Sequence, residues 1–306
     1  MEVRQLEYVV AIAETKSFTK AAERCHTAQS ALSHQIARLE TQLGAKIFER
    51  TSRSVALTDV GLALLPYARR ILNDVADAHC EITELHGAVR GRLRMGMTQT
   101  AVRSLDLVAM LGQYSRERPE IELSLMSGPT AELFDNVLHG QLDLAITDLS
   151  VEGCLEGLTF HPLIQAERLV AVVPFDHPLA SRKRVTVPKL VEVGKFIDFR
   201  ENTGLRNRVD AMCRVAGVTR KVAFELGEIR EMVKFAANGL GATIVPRSFT
   251  VGADCSFIEE LEASVIEVQH PYATFSIGVF IDAHRSSATV RSFLQTLDDT
   301  ASASVA

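Results

Sequence analysis

The segment Thr27-Ala-Gln-Ser-Ala-Leu-Ser-His-Gln-Ile36 governs how the N-terminal part of this chain folds. Apolar residues at helical spacing, within it and just beyond, predict one buried stripe: Ala31, Leu32, Ile36, Leu39 and Leu43. Short polar side chains fall off that stripe, and we expect them to face outward: Gln29, Ser30, Ser33 and His34. Such a helix can enter a major groove, where glutamine can hydrogen-bond adenine bidentately and serine can reach a base or a phosphate. Together with Thr27, these residues are the candidate DNA contacts.

The residues on either side of this segment predict a winged helix-turn-helix. An apolar face made of Leu6, Val9, Val10 and Ala13 precedes it, and Ser17 or Thr19 can cap a short second helix over 20–24. Gly44 is expected to end the recognition helix. Residues 46–58 predict two short strands around a Thr-Ser-Arg-Ser turn, which place Arg50 and Arg53 near the DNA backbone.

Several runs, in order and correctly spaced over about sixty residues, resemble the N-terminal domain of LysR-type transcriptional regulators. They are Phe18-Thr-Lys-Ala-Ala22, Gln29-Ser-Ala-Leu-Ser-His-Gln-Ile36, Leu39-Glu40, Leu43-Gly44, Phe48-Glu-Arg50, Leu57-Thr58 and Gly61. The resemblance implies a sequence-specific regulator that binds double-stranded promoter DNA, as activator or repressor. It also implies a homodimer paired through the helix after this domain, and a homotetramer as the family's usual assembly.

Composition and charge suit a cytoplasmic, multidomain protein. The 306 residues are 47% hydrophobic and 23% charged, and no apolar run approaches the roughly 20 residues of a membrane helix. Met1-Glu-Val-Arg4 does not begin a signal peptide, so we expect no membrane association. The net charge of −5 is unevenly spread, because residues 1–94 carry 13 Lys and Arg against 11 Asp and Glu. DNA binding must therefore depend on where individual cations point and on doubling by a dimer.

A long helix is predicted from Asp59 to about Val89. Residues three and four apart form a coiled-coil seam: Leu65, Ala68, Leu72, Val75, His79, Ile82, His86 and Val89. The two histidines could set the register or respond to pH, but partial exposure near the end of the helix is the preferred interpretation. They lie two turns, about 10 Å, apart, so they cannot share one metal ion.

The remaining two thirds alternate strands with helices and predict two α/β lobes. One helix is expected over 98–118, and strands over 169–173, 196–199 and 222–226. Leu142-Asp-Leu-Ala-Ile146 and Gly239-Leu-Gly-Ala-Thr-Ile-Val-Pro246 resemble the periplasmic-binding-protein-like effector domain of the same family. We therefore expect a DNA-binding domain in 1–58, a linker helix in 59–89 and an effector domain in 90–306. Lobe 1 would comprise 92–162 and 270–300, and lobe 2 would comprise 166–268.

An effector should bind where the strands end and the helices begin, because helix N-termini favour anions. The candidates in lobe 1 are Thr98, Gln99, Thr100, Ser127, Thr130 and Asp148; the first three match the family's principal effector-contact loop. The candidates in lobe 2 are Phe199, Arg200, Asn202, Thr203 and Thr243. Thr98, Thr100, Ser127 and Thr203 are equally explained as helix caps. Arg200, if it points inward, favours a carboxylate-bearing metabolite; Glu201 beside it can neutralise it, and Asp148 argues against an anion.

Other classes of function find less support. The chain has no Gly-x-Ser-x-Gly, His-Glu-x-x-His or phosphate-binding Gly-x-x-x-x-Gly-Lys motif, so we expect no enzyme, no catalytic residue, no cofactor and no metal. Five cysteines at 25, 80, 154, 213 and 255 include no Cys-x-x-Cys pair, and Cys213 has no near neighbour for a redox pair. Two alternatives stay open: a thiol-based redox sensor, and an autonomous DNA-binding repressor whose effector cleft is vestigial.

Overall fold

The computed structural model describes residues 1–50, 55–84, 90–105, 107–149, 156–201, 203–250, 263–285 and 287–303. The N-terminal elements are α1 (Val3–Thr15), α2 (Phe18–Arg24), α3 (Gln29–Leu43), β1 (Phe48–Arg50), β2 (Val55–Leu57) and α4 (Asp59–Glu84). The next are β3 (Gly91–Met97), α5 (Gln99–Ser104), α6 (Leu107–Glu117), β4 (Ile121–Ser127), α7 (Thr130–Leu138), β5 (Leu144–Asp148) and β6 (Leu158–Pro174). The last are β7 (Arg184–Thr186), α8 (Val187–Val191), β8 (Phe196–Phe199), α9 (Gly204–Val215), β9 (Val222–Leu226), α10 (Ile229–Ala237), β10 (Thr243–Pro246), β11 (Ala263–Gln269), β12 (Thr274–Asp282) and α11 (Ala288–Ala303).

The first three helices enclose one small apolar core. Its fully buried side chains include Val9, Ile12, Ala21, Leu32, Ile36 and Leu39. Ser17 accepts a hydrogen bond from the backbone N–H of Lys20 and so caps α2, and Gly44 ends α3 in the left-handed conformation at φ +68°; both expectations are confirmed. The apolar stripe of α3 is narrower than predicted. Ala31 and Leu43 are exposed, because Ala31 lies one position off the buried row and Leu43 is the last residue of the helix.

A buried carboxylate fastens the wing to the recognition helix. Strands β1 and β2 pair antiparallel, with Phe48 opposite Leu57. Glu40 of α3 is 5% exposed and accepts hydrogen bonds from the backbone N–H of Ile47 (3.0 Å) and from Lys46 Nζ (2.8 Å). Gly61 in the first turn of α4 packs against the Ile47 carbonyl so closely that no side chain would fit. The wing and α4 are thus positioned by backbone contacts as well as by the core.

Helix α4 carries an exposed apolar face and a face fixed to the effector domain. Val75 and Ile82 are exposed and Leu65 and Leu72 are half-buried. Ala68 is fully buried within its own chain, so it cannot belong to a seam between subunits as predicted. His79 is exposed, whereas His86 and Val89 lie outside the described residues. On the other face, Arg285 pairs with Asp74 (3.2 Å) and Asp77 (3.0 Å).

Two lobes share the long strand β6. In lobe 1 the sheet order is β4-β3-β5-β12-β6, with β3 parallel to both of its neighbours and β12 antiparallel to β5. The first half of β6 pairs with β12, and its second half pairs with β10 and β11 of lobe 2. Strands β8 and β9 form a separate parallel pair there. The chain therefore crosses between the lobes twice, along β6 and from β11 to β12.

Some elements differ from the sequence-based expectation. The strand predicted over 169–173 is the second half of β6, whose first half is irregularly paired with β12. The single helix predicted over 98–118 is two helices, α5 and α6. Strands β7 and β11 and helix α8 were not predicted. None of the described helices has the length and apolar character that crossing a bilayer requires.

Candidate functional site

The predicted DNA contacts share one outer surface of α3. Gln29, Ser30 and His34 are exposed, and Thr27 and Ser33 are half-buried. Gln29 Nε2 donates a hydrogen bond to Ser33 Oγ at 3.0 Å, which aligns the two side chains along the helix. This surface lies opposite the buried Leu32 and Ile36, so the side chains can change partners without disturbing the core.

The guanidinium of Arg50 lies over the ring of Phe18, with 3.7 Å between its Cζ and the ring centroid. Arg50 nevertheless stays exposed at the end of β1. Stacking on an aromatic ring leaves the edge of a guanidinium free to donate hydrogen bonds. The position is therefore compatible with a phosphate contact beside α3. Arg53 lies outside the described residues.

A cavity of about 240 Å³ lies between the two lobes. It brings together eight of the predicted effector residues: Thr98, Gln99, Thr100, Ser127, Thr130, Asp148, Phe199 and Thr203. Arg200 and Thr243 do not line it, and Asn202 lies outside the described residues. Arg200 is exposed and packs beside Gly227, whereas Thr243 is fully buried in the middle of the sheet opposite Val172. Neither side chain is placed to contact a molecule in the cavity.

The N-termini of three helices face this cavity. Helix α7 begins at Thr130, α9 begins at Gly204 and α10 begins at Ile229, and all three residues line the cavity. Unpaired N–H groups and the helix dipole make such ends attractive to negative charge. Because α7 comes from lobe 1 and the other two helices from lobe 2, a ligand here would contact both lobes.

The hydroxyl groups around the cavity divide into caps and free contacts. Thr98 caps α5 by accepting from the N–H of Ala101 (3.3 Å), and Thr203 caps α9 by accepting from the N–H of Arg206 (3.4 Å). Thr100 and Ser127 do not cap the helices that follow them, because Thr98 and Pro129 occupy those cap positions. The capping interpretation is therefore wrong for Thr100 and Ser127 and right for Thr98 and Thr203.

Asp148 is the one ionisable residue among the described residues that line the cavity. It is 2% exposed, its Oδ1 accepts a long hydrogen bond from Thr147 Oγ1 (3.5 Å), and its Oδ2 has no hydrogen-bond partner among the described residues. Burial raises the pKa of Asp148, and the positive charge of nearby Arg208 only partly opposes this. Arg208 itself donates to the Leu149 and Thr274 carbonyls. An oxygen of a buried carboxyl group thus lies at the wall of the cavity without a hydrogen-bond partner.

Six lining residues are outside the candidate contacts given above: Gly128, Pro129, Gly204, Leu205, Gly227 and Ile229. Gly204 is the most informative of them. A Cβ there would lie 2.9 Å from Asp148 Oδ2 and 3.3 Å from Thr130 Oγ1, so only glycine lets the first turn of α9 approach lobe 1. The sequence does contain a signal for a close contact at this position: a glycine directly follows the helix cap Thr203. Glycine has a low helix propensity, so its presence in the first turn of a helix indicates a need for close approach.

Polar contacts cross the cleft beside the cavity. Gln99 Nε2 donates to Glu228 Oε1 at 2.9 Å, and the hydroxyls of Ser104 and Ser248 are 2.9 Å apart. Arg103 Nε donates to the carbonyl of Ser248 at 3.2 Å. These bonds join α5 of lobe 1 to lobe 2, so a change in lobe closure must rearrange them.

The described residues offer little for metal or disulfide chemistry. They contain no cluster of three or more potential metal ligands, and Cys25, Cys80 and Cys213 are free thiols. Cys213 is buried on α9, where Arg220 Nη1 lies 3.5 Å from its sulfur. Burial raises the pKa of Cys213 despite the charge of Arg220, which disfavours the reactive thiolate. Cys154 and Cys255 lie outside the described residues.

Two sequence profiles match the chain. The profile described as "Bacterial regulatory helix-turn-helix protein, lysR family" matches residues 3–62. The profile described as "LysR substrate binding domain" matches residues 86–302. The second match alone spans well over half of the chain.

Individual proteins agree with these profiles. The chain is 35% identical over 251 residues to the uncharacterized HTH-type transcriptional regulator YnfL of Escherichia coli strain K12, covering 81% of this chain and 83% of YnfL. It is 32% identical over 246 residues to the hydrogen peroxide-inducible genes activator of Dickeya chrysanthemi, covering 80% of this chain and 79% of that protein. A full-length OxyR variant from Pseudomonas aeruginosa superposes with a TM-score of 0.76 at 25% identity, over 98% of this chain and 94% of that one. Full-length CbnR complexed with its target DNA has a TM-score of 0.64 at 22% identity, over 98% and 100%, and supports the fold alone.

Proposed function

Because the chain belongs to the LysR family of bacterial transcriptional regulators, we propose that a small effector bound between its two lobes controls how it engages promoter DNA. As a family member it is a DNA-binding regulator with an effector-binding domain, and the family consists of transcriptional regulators and not of enzymes. In this proposal residues 1–58 bind DNA, 59–89 form the linker helix and 90–306 bind the effector, with lobe 1 in 92–162 and 270–300 and lobe 2 in 166–268.

Recognition of DNA is assigned to α3 and the wing. Gln29 and Ser30 contact base edges, and Ser33 and His34 extend the same surface. Thr27, just before the helix, lies where α3 approaches the DNA backbone. Arg50, and Arg53 on the basis of the sequence, bind phosphate. This division is supported by the exposure of the polar residues of α3 and by the stacked, exposed guanidinium of Arg50.

Binding of the effector is assigned to the cavity between the lobes. The observation that carries this proposal is the convergence of the N-termini of α7, α9 and α10 on one cavity of about 240 Å³. This environment favours a small ligand with a carboxylate group. The carboxylate preference now depends on the helix N-termini and not on Arg200, which does not line the cavity.

Two copies of the chain are proposed to pair through α4, and pairs to associate into a homotetramer as is usual in the family. The exposed side chains of Val75 (38%) and Ile82 (59%) support an apolar contact along this helix. Arg285 holds the same helix to lobe 1 through Asp74 and Asp77. A change in lobe closure can therefore reach the DNA-binding domains by moving α4.

A thiol sensor is the second candidate, favoured by the relatives described as hydrogen peroxide-inducible genes activators. The raised pKa of the Cys213 thiol, which follows from burial, speaks against it at that residue. The decisive observation would be a peroxide-dependent change in the DNA footprint that serine at position 154, 213 or 255 abolishes. A footprint unchanged by peroxide leaves the metabolite mechanism in place.

Thermal denaturation against a panel of small carboxylates tests the effector proposal. Binding at a hundredfold over Kd adds about 2.7 kcal/mol to the free energy of unfolding. We expect Thr100→Val, in the cavity, to lose the response, and the isosteric control Thr243→Val, buried outside the cavity, to keep it. Equal responses from both variants would place the ligand elsewhere. A protein whose footprint responds to no ligand would be an autonomous repressor.

A further inference from the structure

The oxygen of Asp148 that lacks a partner needs an explanation, because buried polar atoms are almost always hydrogen-bonded. The Asp148 side chain is almost fully buried, and Thr147 Oγ1, itself 2.8 Å from Thr130 Oγ1, holds only the Oδ1 atom. The Nη1 and Nη2 atoms of nearby Arg208 donate to backbone carbonyls, and its Nε atom, like Asp148 Oδ2, has no hydrogen-bond partner among the described residues. The carboxyl group is therefore oriented by its neighbours, and its Oδ2 atom is an acceptor without a partner in the wall of the cavity.

Arg208 is the cation near Asp148, but it does not line the cavity. No lysine or arginine is among the described residues that line it, so an anionic group in the cavity would be met by the N-termini of α7, α9 and α10. One carboxyl group and several helix N-termini around one cavity complement a ligand that carries both an ammonium and a carboxylate group. A simple carboxylate would leave the Oδ2 atom of Asp148 without a hydrogen-bond donor.

We infer that the effector is a small α-amino acid, whose ammonium group pairs with Asp148 while its carboxylate meets the N-terminus of α9. This inference rests on the proposed function, since it names the class of ligand that the cavity takes. The ammonium and carboxylate of an α-amino acid are joined through one carbon, so both must be met within a small region. Asp148 Oδ2 and Gly204 provide that juxtaposition, because a Cβ at Gly204 would lie only 2.9 Å from this oxygen.

The rest of the cavity suits a side chain of modest size. Phe199, Leu205 and Ile229 contribute apolar surface, and the cavity has a volume of about 240 Å³. Thr100 and Ser127 line the cavity without capping a helix, so their hydroxyls are available to a polar ligand atom. The backbone of the amino acid is therefore recognised at Asp148 and α9, and its side chain by the remaining surface.

The test compares three sets of probes by thermal denaturation of the full-length protein. They are the common α-amino acids, the matched acids that lack the amine, and the matched amines that lack the carboxylate. We expect at least one amino acid to stabilise the protein, with neither of its analogues active at the same concentration. Asp148→Asn should weaken its binding at least about thirtyfold, because one partner of a buried charge pair is removed. The control Asp77→Asn, at the contact of α4 with Arg285, should keep the response.

The remaining outcomes of this experiment each contradict a different part of the proposal. If a matched acid stabilises the wild type and Asp148→Asn alike, the amino-acid inference is wrong while the effector cavity stands. If an amine alone stabilises the protein as well as the amino acid, the helix N-termini do not bind a carboxylate and the inference is again wrong. If no probe stabilises the wild type, both the inference and the proposal of a carboxylate effector fail. Asp148→Asn that is at least as stable as the wild type without ligand excludes misfolding as the cause.

Discussion

The DNA-binding domain and the effector domain each bury a carboxylate, and they treat it in opposite ways. Glu40 is surrounded by donors: the N–H groups of Ile47 and Phe48 and the ammonium of Lys46. Burial opposes its ionisation, but these hydrogen bonds prevail and lower the pKa of Glu40. Asp148 has one long hydrogen bond and one oxygen without a partner, and burial raises its pKa.

The difference separates a structural acid from one kept for a ligand. A carboxylate whose acceptors are filled within the chain contributes to folding and has nothing to offer another molecule. A carboxylate left incomplete lowers stability and persists where binding compensates for that cost. The DNA-contacting residues form a third group, because exposed polar side chains are satisfied by water and are free to exchange it for DNA.

Removing the structural acid should give the largest effect. We expect Glu40→Ala to lower the free energy of unfolding of the DNA-binding domain by about 1–3 kcal/mol, since buried N–H groups lose their acceptor. DNA affinity should fall with it. Urea unfolding and a DNA-binding titration measure both quantities. The control Glu49→Ala, exposed on β1, should match the wild type, and an unchanged stability of Glu40→Ala would contradict the assigned role.

The exposed residues of α3 should affect recognition without affecting folding. Gln29→Ala is expected to reduce discrimination between cognate and random DNA by about 1–2 kcal/mol, because a base contact is lost. Arg53→Ala, from its predicted phosphate contact, should weaken binding to both DNAs alike and lower the salt dependence. Equal losses on both DNAs in both variants would overturn the assignment. Thermal midpoints of both should stay near that of the wild type.

Neutralising Asp148 in the cavity should change the free energy of unfolding in the opposite direction to removing Glu40. Asp148→Asn is expected to raise the free energy of unfolding of the unliganded effector domain by about 1 kcal/mol at neutral pH, since a buried charge without a full partner is removed. Urea unfolding without ligand measures the change. A loss of stability would mean that the Asp148 carboxylate is satisfied within the fold, contrary to the contrast with Glu40.

The pH dependence of stability sharpens the same contrast with a smaller effect. Because the folded-state pKa of Glu40 is lowered, its contribution is present above the unfolded pKa of about 4.3 and is lost as the pH falls through the lower folded pKa. Because the folded-state pKa of Asp148 is raised, its contribution is present below about 3.9 and is lost as the pH rises through the folded pKa. Subtracting the curves of Glu40→Gln and Asp148→Asn from the wild type should give slopes of opposite sign. Slopes of the same sign would refute the pKa assignments.

The sequence predicted the DNA-binding domain more closely than the effector domain, for physical reasons. In α3 one helical period carries both the buried Leu32 and Ile36 and the exposed Gln29, so pattern and role coincide. The first half of β6 depends on irregular pairing with a strand a hundred residues later, which local periodicity does not reveal. The direction of Arg200, which the sequence left open, likewise depends on tertiary packing, and the exposed side chain packs beside Gly227.

The sequence predicted most of the residues that line the cavity but not the arrangement of charge around it. Eight expected residues meet there because strand ends and helix starts converge in an α/β sheet whatever the side chains are. Gly204 and Asp148 belong to different lobes, so their close approach cannot be predicted from the local sequence around either residue. From the sequence, Asp148 disfavours an anionic ligand. Because the structure buries Asp148 beside helix N-termini, the same residue favours a ligand that carries both charges.

The most direct test of the whole account is a DNase footprint on the promoter DNA with and without an amino acid that stabilises the protein. The account predicts that the protected region changes in length or position when the amino acid is added. It also predicts that Asp148→Asn keeps the footprint of the free protein at the same concentration of amino acid. A footprint that stays the same while the wild type is saturated would show that the cavity binds a ligand without controlling DNA, and would contradict the account.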